Sequence, residues 1–128
     1  MGLFFVGLGG ALGALSRYGL SGWVLRWSSS EGFPYATLVV NLVGCLLIGI
    51  VWGLSERFTF HDHLGLFLLT GFLAAFTTFS TFCYENVLLA RAQEWKVLLM
   101  NICLSNLVGI ALVGFGFWTV HALLKVAR

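Results

Sequence analysis

Thr77-Thr78-Phe79-Ser80-Thr81-Phe82 lies inside a hydrophobic span, and how its hydroxyls are satisfied decides the fold. In lipid every polar group needs a protein or water partner, so these hydroxyls belong to a protein interface or a water-filled path. Gly71, Ala74, Ala75 and the hydroxyl residues Thr77, Thr78, Ser80 and Thr81 make a poor uninterrupted helix, and a mid-membrane break of this span is expected. A break leaves carbonyls free on one half and N–H groups free on the other. The former attract cations and the latter anions.

Around this stretch the chain of 128 residues is 59% hydrophobic and 9% charged, where a soluble domain carries about 25% charged residues. The composition is that of an all-α integral membrane protein. Each crossing takes about 20 apolar residues, so the expectation is one transmembrane domain over residues 1–128 with four helices, at about 3–27, 35–56, 64–91 and 95–124. No Lys or Arg precedes the first apolar run, and further apolar runs follow, so a retained helix is expected rather than a cleaved signal peptide. The stretch Ser28-Ser29-Ser30-Glu31-Gly32 carries turn chemistry, and Pro34 falls just before the second span, where it costs no helical hydrogen bond. Trp23, Trp27, Trp52, Trp95 and Trp118 lie toward span ends, as an aromatic belt places them. Cys45, Cys83 and Cys103 have no zinc or disulfide spacing and read as small core residues.

Four spans put both termini and the loop between spans 2 and 3 on one side, with Arg57, Lys125 and Arg128; the other side carries Arg26, Arg91 and Lys96. The positive-inside bias that fixes topology is therefore absent. A chain that inserts both ways assembles most simply as an antiparallel homodimer with a two-fold axis in the membrane plane. Glycines bring helices close: Gly9 and Gly13 on span 1, Gly44 and Gly49 on span 2, and Gly109, Gly114 and Gly116 on span 4. Most of these read as packing positions within the subunit.

Polar residues inside the spans fall on stripes. Thr37, Asn41, Gly44 and Cys45 share a face of span 2; Asn101, Ser105 and Gly109 repeat every four residues on span 4, with Asn106 beside them. On span 3 the rings of Phe72, Phe76, Phe79 and Phe82 are expected to share a face. Packing and interhelical hydrogen bonds account for either kind of stripe alone. Together they also suit an anion, since a phenyl ring offers its positive edge and an Asn amide its N–H donors, so that Asn41, Phe79 and Phe82 can form an anion path without fixed positive charge. Glu85, near the end of span 3, can reach the interface or pair with a cation, and is read as structural.

The run Gly71 to Phe82, followed by Glu85, resembles the signature of the Fluc/CrcB fluoride channels. Thr37-Leu38-Val39-Val40-Asn41-Leu42-Val43-Gly44 is similar to that family's second-helix motif, and Gly9-Gly10-Ala11-Leu12-Gly13-Ala14-Leu15-Ser16-Arg17-Tyr18 to its first. The three motifs occur in order across essentially the whole chain. The resemblance implies a dual-topology homodimer in the bacterial inner membrane, with two antiparallel pores passing fluoride passively and protecting the cell from fluoride toxicity. By it, Phe79 and Phe82 match the phenylalanine box, Asn41 the pore asparagine, and Ser80 and Thr81 the polar track. Thr37 and, on span 4, Asn101, Ser105 and Asn106 are further candidates for the pathway, while Arg17, Glu85 and Gly44 take structural roles. A central sodium ion is implied on the backbone carbonyls of Ala74 and Thr77 from both subunits, hard ligands for a hard cation. Where the family usually has two glycines this chain has Ala74 and Ala75, which makes any conformation with positive φ costly there.

Two other classes are open to a chain of this size. A small four-helix multidrug transporter would carry a glutamate deep in its first helix, where this chain has glycines and Arg17; a non-conducting assembly subunit would dimerise and pass no ions. Catalytic constellations, phosphate loops and metal spacings are absent from the sequence, and no basic cluster suggests nucleic acid. The expected partners are fluoride, lipid and a second copy of the chain.

Overall fold

With no charged side chain before Arg17, the first span forms one uninterrupted helix, α1 (Gly2–Trp27), in the computed structural model, which describes residues 1–28 and 32–126. Ser29, Ser30 and Glu31 of the expected turn, and Arg128 of the charge balance, lie outside the described residues. Pro34 stands just before α2 (Tyr35–Ser55), where its ring costs no helical bond and its carbonyl accepts the Leu38 N–H at 3.1 Å. α2 ends at Ser55, and Glu56 caps it.

The third span forms two helices, α3 (residues 62–76) and α4 (Phe79–Arg91), separated by Thr77 and Thr78 in extended conformation. α3 is π-helical from Leu66 to Leu73, and α5 (residues 95–126) is π-helical from Leu104 to Val108. Such widened turns gather at functional sites, and here they fall on the two helices that flank the groove described below. A tight turn links α4 to α5: Gln93 adopts φ 60°, and the Glu94 N–H reaches back to the Leu89 carbonyl at 2.9 Å.

Glycines set the helix contacts. A Cβ on Gly13 would lie 2.2 Å from the Phe72 carbonyl oxygen and one on Gly9 2.3 Å from that of Phe67, so α1 and α3 meet backbone to backbone. α2 and α5 meet in the same way where Gly49 faces Val113 and Gly116 faces Leu46. The GxxxG pair of the first helix thus packs within the subunit, whereas Gly114 has nothing within 4 Å.

The core is thin, built on Val24, Leu38, Val40, Leu73, Phe76, Leu89 and Val120. Large apolar side chains such as Phe4, Leu15, Leu107, Ile110, Phe115 and Trp118 face outward, an exterior made for lipid or a partner rather than water. Four helical spans, Gly2–Trp27, Tyr35–Ser55, Asp62–Arg91 and Trp95–Lys125, are long and apolar enough to cross a membrane. The architecture is that of an all-helical, four-helix membrane protein.

Candidate functional site

The site is organised by the two extended residues between α3 and α4. Asn41, a third of the way along α2, meets the second of them with both ends of its amide: the Thr78 N–H donates to Oδ1 at 2.8 Å, and Nδ2 donates to the Thr78 carbonyl at 3.1 Å. In a continuous helix the Thr78 N–H would serve the carbonyl four residues back, that of Ala74. Asn41 takes that donor, and the Ala74 carbonyl loses its helical partner. The Thr77 carbonyl loses its own in the same manner, because the Thr81 N–H donates to the Thr78 hydroxyl at 3.3 Å as the N-cap bond of α4. The α3 end is closed by Thr77, whose N–H and hydroxyl both reach the Leu73 carbonyl at 3.1 Å.

The interruption therefore takes the helical donors from the last carbonyls of α3, those of Ala74 and Thr77 among them, a few residues from the positive N-terminal end of α4. Ala74 itself sits at φ −65°, ψ −33°, ordinary helical values that an alanine adopts without strain. The departure from a glycine pair costs the backbone nothing at this position.

Beside the interruption lies a groove of about 430 Å³ between α2, the third span and α5. It brings together most of the candidates: Asn41 and Gly44 from α2, Ala74, Thr77, Phe79 and Phe82 from the third span, and Ser105 and Asn106 from the π-helical turn of α5. Gly44 makes room for Thr77, since a Cβ there would lie 2.2 Å from Thr77 Cγ2. The rings of Phe79 and Phe82 are 5.8 Å apart and tilted by 34°.

The expected four-ring face is not present. The extended Thr77 and Thr78 re-aim the chain, so Phe72 and Phe76 stack on each other while Phe79 and Phe82 turn to the groove. Phe76 is 3% exposed and Phe79 76%. The polar stripe of α2 also divides. Asn41, Gly44 and Cys45 line the groove, but Thr37 lines a second cavity of about 370 Å³ with Arg17, Thr78 and Thr81.

Thr37 is 7% exposed and donates to Glu85 Oε1 at 2.6 Å. Glu85 is thus held by a hydroxyl of α2, and its Oε2 is buried with no hydrogen-bond partner among the described residues. Ser80 is exposed and is not among the lining residues of either cavity; its hydroxyl lies 3.5 Å from that of Thr78.

Two residues went unassigned in the sequence. Thr78 is the hinge of the site, and its signal was a threonine at the N-cap position of a new helix. Asn86 donates to the Phe82 carbonyl at 2.9 Å and accepts from Asn101 at 3.0 Å, tying α4 to α5. Among the described residues no group of three or more His, Cys, Asp or Glu side chains is placed to hold a metal ion.

The similarity to known proteins covers most of the chain. Residues 4–117 match the family model described as CrcB-like protein, Camphor Resistance (CrcB). A protein of Nitratidesulfovibrio vulgaris named fluoride-specific ion channel FluC is 44% identical over 91% of this chain and 94% of its own length. Relatives of the same name from Salinibacter ruber and Desulforapulum autotrophicum are 44% and 45% identical, over 89% and 82% of this chain and 85% and 84% of theirs.

Proposed function

The chain belongs to the CrcB family, and from that premise we propose that it is a fluoride-selective channel whose ion path runs through the groove at Asn41, Phe79, Phe82, Ser105 and Asn106. The observation that carries this reading is the convergence of those residues on one groove whose lining holds no charged side chain. Anion affinity there comes from donors and dipoles. The Asn41 amide has two N–H protons and spends one on Thr78. Asn106 likewise donates one to the Ile102 carbonyl at 2.7 Å, leaving a second for the groove. The ring edges of Phe79 and Phe82 and the N-terminal end of α4 supply the remaining positive potential. Neutral donors bind an anion strongly enough to admit it and weakly enough to release it.

Transport in this reading is passive and electrodiffusive, exporting fluoride across the bacterial inner membrane and relieving its toxicity. The functional unit is an antiparallel homodimer with two pores, supported by the balanced Arg26, Arg91, Lys96 and Arg57, Lys125, Arg128 sets and by the outward-facing Phe79. The interruption at Thr77 and Thr78 lies mid-membrane, near the axis.

A sodium ion suits the freed carbonyls of Ala74 and Thr77. They are uncharged hard oxygens at a helix C-terminal end, and the same pair from a second copy gives four ligands. Bound there, the ion would supply positive charge that ties the two interruptions together. This chain's part is to keep the carbonyls free, which Asn41 and the Thr78 hydroxyl do by taking the competing N–H groups.

Planar-bilayer recording with a fluoride gradient and symmetric chloride tests the proposal. Current reversing at the Nernst potential of fluoride is expected; reversal that follows chloride or protons would overturn it.

A further inference from the structure

Behind the groove, α4 and α5 are joined by a chain of side-chain hydrogen bonds whose direction is fixed by its last member. A main-chain carbonyl only accepts, so Asn86 must turn Nδ2 to the Phe82 carbonyl, at 2.9 Å, and present Oδ1 away from it. Asn101 must then turn its own Nδ2 to that Oδ1, at 3.0 Å, which leaves Asn101 Oδ1 facing Ser105. An amide oxygen only accepts, so the Ser105 hydroxyl is the donor, across 3.5 Å. Asn101 is 1% exposed, one of the largest fully buried side chains among the described residues. A buried amide placed this way is held in one orientation.

Ser105 lines the groove and Asn101 stands behind it. We propose that Asn101 is a positioning residue for ion passage, holding the Ser105 hydroxyl hydrogen away from the groove, loosely enough for a passing anion to draw it over. The inference rests on the reading of the groove as the fluoride path. At rest, Ser105 turns lone pairs toward the groove, which do not attract an anion. Its bond to Asn101 is longer than the about 2.5–3.0 Å of an ordinary O–H···O bond, so little is lost when the hydrogen turns to fluoride. As the ion moves on, Asn101 Oδ1 takes the hydrogen bond back, and departure is eased by the same amount. The hydroxyl becomes a two-position donor, which favours throughput over tight binding.

The test is fluoride current against fluoride concentration for the wild type, Asn101→Leu, Ser105→Ala and the double variant in planar bilayers. Without its acceptor the Ser105 hydrogen stays on the ion, so Asn101→Leu should lower the half-saturating fluoride concentration by about threefold or more and lower the maximal current. Ser105→Ala should raise the half-saturating concentration, and the double variant should match Ser105→Ala alone. A purely structural Asn101 would not produce this dependence on Ser105. If Asn101→Leu does not assemble, Asn86→Leu releases the Asn101 amide to flip and should shift the curve in the same direction. An unchanged half-saturation in the variant that assembles, or an equal shift with Ser105 absent, would overturn the inference while leaving the groove as the path. A wild-type protein that carries no fluoride would remove the underlying reading, and the inference with it.

Discussion

The Asn41 side-chain amide and the Thr78 backbone amide form a closed pair, N–H to Oδ1 at 2.8 Å and Nδ2 to carbonyl at 3.1 Å. One polar side chain on α2 thereby satisfies both backbone groups of an extended residue that would otherwise be stranded in an apolar span. Leaving either unmade costs about 1–3 kcal/mol. The same pair diverts the donor of Ala74, so the interruption and the freed carbonyl have one cause.

Asn41→Asp should lose both stability and conduction. The carboxylate can still accept from Thr78 N–H but cannot donate to the Thr78 carbonyl, and its charge repels an anion in the groove. Fluoride efflux from liposomes should fall about tenfold or more, equivalent to roughly 1.4 kcal/mol of barrier. Wild-type efflux from a correctly assembled Asp variant would leave Asn41 as a bystander.

Phe79→Ile and Phe82→Ile should separate function from folding. Phe79 is 76% exposed in the single subunit, so its truncation there should change subunit stability by no more than about 0.5 kcal/mol. Conduction should nevertheless drop strongly, because isoleucine has no positive ring edge to offer. Elution and thermal unfolding in detergent report the fold, and fluoride flux the function; unchanged flux in both variants would remove the rings from the mechanism.

Gly44→Ala and Gly114→Ala make a matched pair. At Gly44 the new methyl would meet Thr77 Cγ2 at 2.2 Å, so the Thr77 side chain must turn, giving up its hydroxyl bond to Leu73, or the interruption must shift, at a cost of about 1–3 kcal/mol. At Gly114 nothing lies within 4 Å, so the subunit fold should gain slightly from helix propensity. A lowered unfolding temperature and flux only for Gly44→Ala is the expected result; equal behaviour would mean that Thr77 is not held where the geometry puts it.

Two or three lysines added after Arg128 should lock one orientation by restoring a positive-inside bias. Expressed alone, such a chain should not form the antiparallel pair and should not conduct. Full activity from it would exclude that assembly.

The spans and their packing glycines were legible because hydropathy and GxxxG spacing act locally along the chain. Asn41, Phe79 and Phe82, which the structure brings to one groove, were legible as candidates because a polar or ring side chain on an apolar face needs a reason. The division of the phenylalanine stripe was not, since helical periodicity assumes a continuous helix, and two extended residues at Thr77 and Thr78 reset the phase. The separation of Thr37 from the groove was not legible for a related reason. Thr37 shares a face of α2 with Asn41, but Asn41 sits at the interruption and bonds Thr78 whereas Thr37, one turn away, faces α4 and bonds Glu85. Asn86 was invisible because its partner, Asn101, lies on the next helix.

The most direct measurement is fluoride efflux from liposomes holding the purified protein, followed with an ion-selective electrode, with valinomycin to relieve the voltage and chloride followed in parallel. The account predicts fast, valinomycin-dependent fluoride release with chloride retained. Fluoride retained alongside chloride by a verified, assembled protein would contradict it.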